Sequence, residues 1–326
     1  MARYLVLGDI HGDKRYLDIL EAGRVFERLD GVLATGDIGG YGPDSFDCYR
    51  FLMNLKRKFE ADGKIFKAVR GNHEDYLELK LQNPEIPLAG EGVSKPAEIG
   101  ILLTIGQFFG EDVCRKVDGE LALYGAKINS ILKSDWQARL RSGNKDILNP
   151  GYSKKYTELP EVLSFIVNLP EEERIGRAKL MHSVRVKSGK ERKLKYVMGE
   201  EQLKYMDAVS QHSKKRNFDR KRCLTPDQVF ESGVFDDCDV LFLGHTHTSD
   251  VYRRDGKRIV MVNSPFRRDG GTGAPVLIYD GGLVCRKDLE YDFKETERKL
   301  REVNPKFLEN QVELYRSVKR EWQVKA

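Results

Sequence analysis

The chain has 326 residues, of which 40% are hydrophobic and 33% are charged, and its formal net charge is +5. This composition excludes an intrinsically disordered chain, and the length allows one large domain with insertions or two smaller domains. The five cysteines are far apart, which excludes a disulfide framework and favours reduced thiols. We find no signal peptide and no apolar stretch long enough to span a bilayer, so we expect a soluble, cytoplasmic protein with no membrane partner.

The first eighty residues alternate between two patterns. Short apolar runs predict buried strands, and apolar residues at helical spacing predict helices between them. The resulting βαβαβα order predicts a largely parallel sheet with helices outside it. The predicted strands span 4–7, 31–35 and 64–69, and the predicted helices span 13–29, 45–59 and 74–81.

The middle of the chain, about 82–176, lacks strand signals and contains several Gly and Pro breaks. We interpret it as a mostly helical insertion over the sheet edge, with helical patterns at 128–140 and 159–169. Strands resume at 178–181 and 240–243.

Two hairpins are predicted near the end of the chain. Asp255-Gly256 is a strong turn signal between strands 251–254 and 257–262. A second hairpin joins 275–279 to 283–286. We therefore predict one domain over 1–290, followed by a charged helical extension over 291–326.

Five apolar runs end in residue types that bind metals. In an open α/β sheet the ligand site lies outside the carboxyl ends of the strands, so these residues are expected to converge. A glycine precedes the first polar residue in four of the five cases, and glycine allows a sharp turn away from the strand. The candidate ligands are Asp9 and His11, Asp37, Asn72, His182, and His245 with His247.

The mixture of oxygen and imidazole ligands suits Mn²⁺, Fe, Zn, Co or Ni better than Ca²⁺. Seven ligands are too many for one tetrahedral ion. They suit two divalent ions about 3.5–4 Å apart, bridged by a carboxylate, which clamp a phosphate oxygen and lower the pKa of a water molecule.

Each motif on its own has a purely structural interpretation. Asp9-x-His11 and Gly36-Asp37 are common in loops, Asn72-His73-Glu74 is typical of a helix cap, and a lone His182 is usually packed in a core. Coincidence does not explain the motifs well when they are taken together, because five of the six histidines fall in this set. The remaining histidine, His212, lies among lysines and is interpreted as a surface residue.

This order of motifs resembles the calcineurin-like metallophosphoesterase superfamily. The stretch 36–44 and the stretches 262–265 and 267–270 look most like its small prokaryotic phosphodiesterase branch. The resemblance covers 1–80 and about 160–290, and it implies a β-sandwich flanked by helices.

The resemblance also implies a role for each residue. One metal would be held by Asp9, His11 and His247, and Asp37 would bridge the two metals. His73 would be the general acid rather than a ligand. The second metal would be held by Asn72, His182 and His245.

The chain departs from the superfamily pattern at several positions. Gly40 and Tyr41 stand where Ser/Thr phosphatases have Asp and Arg, which argues against a protein phosphatase and removes the usual carboxylate partner of His73. Asp44 and Glu74 are the alternatives for that partner. His182 is followed by Ser183 where relatives often have Gly.

The segment from about 183 to 235 forms a second predicted insertion. Within it, residues 183–224 contain thirteen Lys and Arg against five Asp and Glu, a net charge of +8. It is interpreted either as a solvated charged helix or loop, or as an electrostatic guide for an anionic substrate such as a nucleotide or nucleic acid.

Three functions are compared. The leading hypothesis is hydrolysis of small phosphate mono- or diesters by metal-bound hydroxide, with Mn²⁺ as the expected metal. The alternative is a nuclease or nucleotide pyrophosphatase, which the basic segment favours. A non-catalytic scaffold ranks below both, because none of the expected ligands is missing. The oligomeric state stays open.

Overall fold

A computed structural model describes most of the chain between residues 2 and 302. No helix in this part of the chain is both long and apolar enough to cross a membrane. The four cysteines whose side chains are described, Cys48, Cys114, Cys223 and Cys238, are all free thiols. The described residues are 2–88, 93–110, 113–117, 120–188, 191–199, 203, 223–247, 250–262, 264–265, 273–281, 284–290, 298–299 and 301–302.

The first three strands of the chain and the last two described strands build a five-stranded sheet in the order β15-β14-β1-β2-β3. Strands β1, β2 and β3 are parallel, as the βαβαβα pattern predicts, and the β14–β15 hairpin adds an antiparallel edge. The elements are β1 Tyr4–Leu7, α1 Lys14–Ala22, β2 Gly31–Ala34, α2 Ser45–Ala61, β3 Ile65–Ala68, α3 Asn72–Gln82, β14 Gly273–Tyr279 and β15 Val284–Glu290.

The second half builds another five-stranded sheet, in the order β12-β13-β11-β7-β6. Its three central strands are parallel, and antiparallel strands close both edges. The predicted Asp255-Gly256 hairpin joins β12 to β13. The strands are β6 Glu172–Ile175, β7 Ala178–Met181, β11 Val240–Leu243, β12 Val251–Arg254 and β13 Lys257–Met261.

The two sheets pack face to face. Side chains alternate between the two faces of each strand, so each sheet presents a row of apolar side chains to the other sheet. Tyr4 and Val6 of β1 point into the core between the sheets, where they meet Val240 and Phe242 of β11. The Phe242 ring lies 5.2 Å from the Tyr279 ring, measured between centroids. The predicted β-sandwich is confirmed.

Helices cover the outer faces of the sandwich. The alternate residues of β1, Leu5 and Leu7, pack against α1, α2 and the helices of the middle segment. On the other sheet, Leu241 and Leu243 pack under Val229 of a short helix. The added helices are α4 Lys95–Phe109, α5 Gly125–Ile131, α6 Trp136–Arg141, α7 Leu159–Val167 and α8 Pro226–Phe230.

Several predictions within the insertions are wrong. The middle segment contains a β4–β5 hairpin and the edge strand β6. The hairpin strands are only four residues long, and β4 carries Arg115 and Lys116, so neither strand shows a clear apolar alternation. The single helix predicted over 128–140 is two helices, because Leu132 leaves the helix to form a bridge with Leu148. The hairpin strands are β4 Cys114–Val117 and β5 Glu120–Leu123.

The helix predicted over 13–29 ends early, at Ala22. Gly23 caps it, Arg24 has a φ of +52°, and only a 3-10 turn, Phe26–Arg28, follows. A left-handed residue cannot continue a right-handed helix.

The basic segment forms strands where a helix or loop was expected. Its described part is a three-stranded sheet of β8, β9 and β10. Residues 204–222, which include most of the remaining basic charge, lie outside the described residues, as do 263 and 266–270. Of the predicted C-terminal extension, 298–299 and 301–302 are helical, and 291–297, 300 and 303–326 are not described. The strands are β8 Val184–Ser188, β9 Glu191–Val197 and β10 Cys223–Leu224.

Candidate metal centre

The seven candidate ligands follow five parallel strands drawn from both sheets. Each strand ends at the same edge of the sandwich, so side chains separated by more than two hundred positions meet there. All are buried except His245, which is partly buried. The ligands that follow β1, β2, β3, β7 and β11 are, in order, Asp9 and His11, Asp37, Asn72, His182, and His245 with His247.

One group of ligand atoms consists of Asp9, His11 and His247. The two Nε2 atoms of His11 and His247 lie 2.8 Å apart, and His247 Nε2 lies 3.3 Å from Asp9 Oδ2. Two buried imidazole nitrogens at this distance need a proton or a cation to share, so the group has the donor atoms and the spacing of a metal site.

A second group consists of Asn72, His182 and His245. Asn72 Oδ1 lies 2.9 Å from His182 Nε2 and 2.7 Å from His245 Nδ1. The two imidazole nitrogens are 3.1 Å apart. The other nitrogen of His182, Nδ1, lies 2.8 Å from the carbonyl oxygen of Thr35, an outer contact that orients the ring.

Asp37 lies between the two groups. Its Oδ2 atom is 3.7 Å from His11 Nε2 of the first group and 3.3 Å from His182 Nε2 of the second. Its Oδ1 atom accepts a hydrogen bond from the backbone N–H of His73 at 2.9 Å. A single carboxylate therefore faces both sets of ligand atoms.

The backbone at this edge is strained. Non-glycine residues seldom adopt a positive φ, and such residues concentrate at functional sites. Four of the seven candidate ligands do so: His11 at +50°, Asp37 at +51°, His245 at +72° and His247 at +56°.

The glycines that precede the ligands serve two purposes. Gly36 has a φ of +92°, which agrees with the turn inferred from the sequence. Gly71 and Gly244 are needed instead for space. A Cβ atom on Gly71 would lie 2.1 Å from Asp37 Oδ1, and one on Gly244 would lie 2.4 Å from Asp9 Oδ1.

The charges of the cluster are strongly coupled. Burial lowers the pKa of His182, but the carboxylates of Asp37 and Asp9 outweigh burial and raise it to about 10. Burial raises the pKa of Asp37, but His182 and His73 hold it well below its usual value. Burial lowers the pKa of both His11 and His73. The site is therefore built to hold positive charge at its centre.

His73 lies in the first turn of α3, directly after Asn72. Its imidazole is within reach of His11 and Asp37, and together the three residues have the spacing of a further possible metal-binding group. Neither Asp44 nor Glu74, the two alternatives for a carboxylate partner of His73, forms a hydrogen bond with its imidazole. Asp44 Oδ2 lies 3.4 Å from Lys299 Nζ, and the hydrogen bonds of the Glu74 carboxylate go to other groups.

Glu74 is a site residue whose role sequence reasoning missed. Its carboxylate accepts hydrogen bonds from the backbone N–H groups of Asp37, Ile38 and Gly71 at 2.9, 2.9 and 2.7 Å, and from the Tyr49 hydroxyl at 2.6 Å. It thus fixes the turn that presents Asp37. Its place three residues after Gly71, at the start of a helix, is a capping signal that would have suggested a backbone partner.

A β-sandwich with a double group of Asp, Asn and His at its strand ends is the architecture of a metallophosphoesterase. Residues 2–249 match the sequence profile of the calcineurin-like phosphoesterase family, and the chain belongs to this family. The predicted enzyme class, a metal-dependent phosphoester hydrolase, is confirmed.

Similarity to individual proteins is lower. The chain is 37% identical over 78 residues to the symmetrical bis(5'-nucleosyl)-tetraphosphatase of Proteus mirabilis (strain HI4320), a match that spans 24% of this chain and 26% of that protein. A hypothetical protein from Pyrococcus horikoshii OT3 has the same fold, with a TM-score of 0.52 and 14% identity over 95% of this chain and 97% of that one. A metallophosphoesterase from Sphaerobacter thermophilus matches 92% of this chain and 93% of its own, with a TM-score of 0.48 and 17% identity.

Proposed function

We propose that this protein hydrolyses phosphate mono- or diesters with two divalent metal ions, bridged by Asp37, and with His73 as the general acid. One observation carries the proposal. Asp37 Oδ2 faces an imidazole nitrogen of each ligand group, at 3.7 and 3.3 Å. A carboxylate in this position is what a bridged pair of cations requires.

The residues of each group divide the ligand roles. Asp9, His11 and His247 hold one ion, and Asn72, His182 and His245 hold the other. Bound divalent ions would supply the positive charge that stabilises the phosphoryl oxygens and activates a water molecule. The donor set of carboxylate, amide and imidazole suits Mn²⁺, Fe, Zn, Co and Ni, and we propose Mn²⁺ as the metal.

His73 supplies the proton for the leaving group. As the bond from phosphorus to the leaving oxygen breaks, that oxygen keeps the electron pair and takes the proton from the protonated form of His73. This is the minor form at neutral pH, because burial lowers the pKa of the imidazole. The backbone N–H of His73 is held by Asp37, so the bridging carboxylate and the acid are positioned by one contact. General acid catalysis is worth about 10²–10⁴-fold.

The substrate is a small phosphate ester or a nucleotide. Membership of the phosphoesterase family supports the ester class. The Proteus mirabilis relative is named a symmetrical bis(5'-nucleosyl)-tetraphosphatase, which supports nucleoside polyphosphates among the candidates.

A second candidate function is a nuclease or nucleotide pyrophosphatase. The net charge of +8 over 183–224 favours it, because a basic segment between the strands that carry His182 and His245 would attract a polyanion. The cytoplasmic location stays a prediction from the scattered cysteines.

The test is hydrolysis of a panel of substrates by metal-stripped protein with added Mn²⁺. The panel contains alkyl and nitrophenyl phosphate mono- and diesters, dinucleoside polyphosphates and single-stranded DNA. His73→Ala should keep its metal and lose turnover, most for the alkyl esters and least for the activated nitrophenyl esters. His212→Ala, which changes the one histidine outside the set, is the control. An equal loss on all esters would point to a positioning or ligand role for His73 instead of an acid role, and loss of metal would point to a ligand role.

A further inference from the structure

The imidazole of His73 is enclosed by other aromatic rings. Its centroid lies 4.6 Å from that of His11, with the ring planes at 71°, and 4.7 Å from that of Tyr41, with the planes at 70°. The Tyr41 ring also lies 4.6 Å from the His11 ring. The three rings therefore contact one another in a closed set, with Tyr41 as the one member that has no proposed chemical role.

The His73 ring has no hydrogen bond to hold its orientation through Nδ1. This nitrogen is buried, and it meets no hydrogen-bond partner in the described part of the chain. Gly40 lies against it: a Cβ on Gly40 would be 2.5 Å from His73 Nδ1 and 2.7 Å from His11 Nδ1, and the φ of Gly40 is +142°. Position 40 therefore cannot supply a side-chain partner without displacing one of these rings.

The orientation of the ring must then depend on packing. An imidazole without a hydrogen bond at Nδ1 is free to turn about the bond that joins it to Cβ unless neighbouring atoms block the rotation. Tyr41 blocks it from one side with a near-perpendicular ring, a favourable arrangement for aromatic pairs.

The loop that carries Tyr41 is pinned by backbone contacts. The N–H of Gly42 donates to the carbonyl oxygen of His11 at 2.5 Å, and the N–H of Gly40 donates to Ser45 Oγ at 3.1 Å. Ser45 Oγ in turn accepts a hydrogen bond from Thr104 Oγ1 of helix α4 at 3.0 Å.

Helix α4 supports the same loop from outside. Gln107 Nε2 donates to the carbonyl oxygen of Pro43 at 2.6 Å. Gly100 lies so close that a Cβ placed on it would be 2.7 Å from the carbonyl oxygen of Gly40. The middle segment, which has no residue among the metal ligands, thus presses on the loop next to the site.

We infer that Tyr41 is a positioning residue that holds the imidazole of His73 in the orientation needed for proton transfer, and that helix α4 holds Tyr41 in place. This inference rests on the proposed role of His73 as general acid. The proton moves as already described, from His73 to the leaving oxygen, and Tyr41 takes no part in bond making or breaking.

The first test compares Tyr41→Phe with Tyr41→Leu. Phe keeps the ring and should retain activity within about two-fold, while Leu removes it and should lower kcat for alkyl esters by about 10- to 100-fold, a part of the ~10²–10⁴-fold expected of general acid catalysis. Nitrophenyl esters, whose leaving oxygens need little protonation, should lose much less. Metal content and thermal unfolding should match those of the unmodified protein.

Three results would overturn the inference. They are an equal loss on both classes of ester, a loss of metal through His11, and a loss in Tyr41→Phe as large as in Tyr41→Leu. If the loss of activity in His73→Ala does not depend on the leaving group, the proposed role of His73 as general acid is wrong. This result can be told apart from a failure of the inference about Tyr41, because it is obtained with Tyr41 unchanged.

The second test moves away from the site, to two glycines of α4. In Gly100→Ala the added Cβ would lie 2.7 Å from the carbonyl oxygen of Gly40, so it should displace the loop that carries Tyr41. We expect the same dependence of the activity loss on the leaving group as in Tyr41→Leu. Gly106→Ala is the matched control, because the same gain in helix propensity is expected and its nearest neighbour, Cys114 Cβ, would be 3.4 Å away. Equal activities for the two variants would refute the role of α4.

Discussion

Asp37→Asn is the sharpest test of the metal centre. The change is nearly isosteric, so it keeps the shape of the turn and removes only the charge. Asp9 and Asp37 are the two carboxylates in the proposed ligand set, so the variant halves the negative charge that the ligands offer to two divalent ions. We expect the metal content and the activity to fall together.

The structure sets a scale for the loss. The carboxylates of Asp37 and Asp9 raise the pKa of His182 from 6.5 to about 10 against the opposing effect of burial. Asp37 is the larger of the two contributors. Loss of an outer contact to a metal ligand typically lowers metal affinity by about 10- to 100-fold, so removing the charge of a proposed ligand should lower it by at least that much.

The assay is metal content per chain by elemental analysis after dialysis against a range of free Mn²⁺, together with turnover of a nitrophenyl ester. Asp239→Asn is the control. Its carboxylate forms an exposed ion pair with Arg177 at the opposite end of β11, and such pairs contribute little to stability. If Asp37→Asn binds two ions with unchanged affinity and near-normal turnover, the bridging assignment is wrong.

Three further predictions concern the pKa of His182, the hydrogen bonds of Glu74 and the charge of the basic segment. In metal-stripped protein the raised pKa of His182 should contribute stability that is complete below pH 6.5 and is lost as the pH rises towards about 10. At pH 7.5, binding of Mn²⁺ should therefore release about one proton from this residue. Calorimetry in buffers of different ionisation enthalpy measures that release. Glu74→Gln should destabilise the protein by about 1–3 kcal/mol in urea unfolding, because an amide cannot accept from three backbone N–H groups and a tyrosine as a carboxylate does. Replacing Lys214, Lys215 and Arg216 with Ala should make the fall of kcat/KM with added salt less steep for oligonucleotides and leave it unchanged for a small monoester. Salt screens the long-range attraction over a Debye length of about 8 Å, and this attraction acts mainly on highly charged substrates.

Each of these predictions has a result that contradicts it. Metal binding without proton release would mean that His182 is neutral in the metal-free protein. A Glu74→Gln variant as stable as Tyr49→Phe, which removes only one of the four hydrogen bonds, would mean that the carboxylate is not the main support of the turn. Equal salt slopes for both substrate classes would favour the interpretation of the basic segment as a solvated charged surface.

The sequence by itself was sufficient to name the candidate ligands that the structure brings together, and to predict most of the elements around them. Short apolar runs that end in Asp, Asn and His are readable because a parallel strand is buried on both faces and its carboxyl end is the one place where polar ligands recur. The Asp255-Gly256 hairpin was equally legible, since few dipeptides accept its turn geometry. Short strands with mixed charge, such as β4, gave no comparable pattern, because their pairing depends on neighbours rather than on their own residues.

The family resemblance implied how these residues divide into two groups, and the tertiary structure decided the distances within and between the groups and what supports them. That Asp37 faces both groups depends on two sheets meeting at one edge, a relation between segments more than a hundred residues apart. The clamp by Glu74, the space required at Gly71 and Gly244 and the packing of Tyr41 on His73 all depend on close approach between separate loops. The amino-acid type of a residue states which chemistry it can perform, and its distance to partners elsewhere in the fold decides which part of that chemistry it performs.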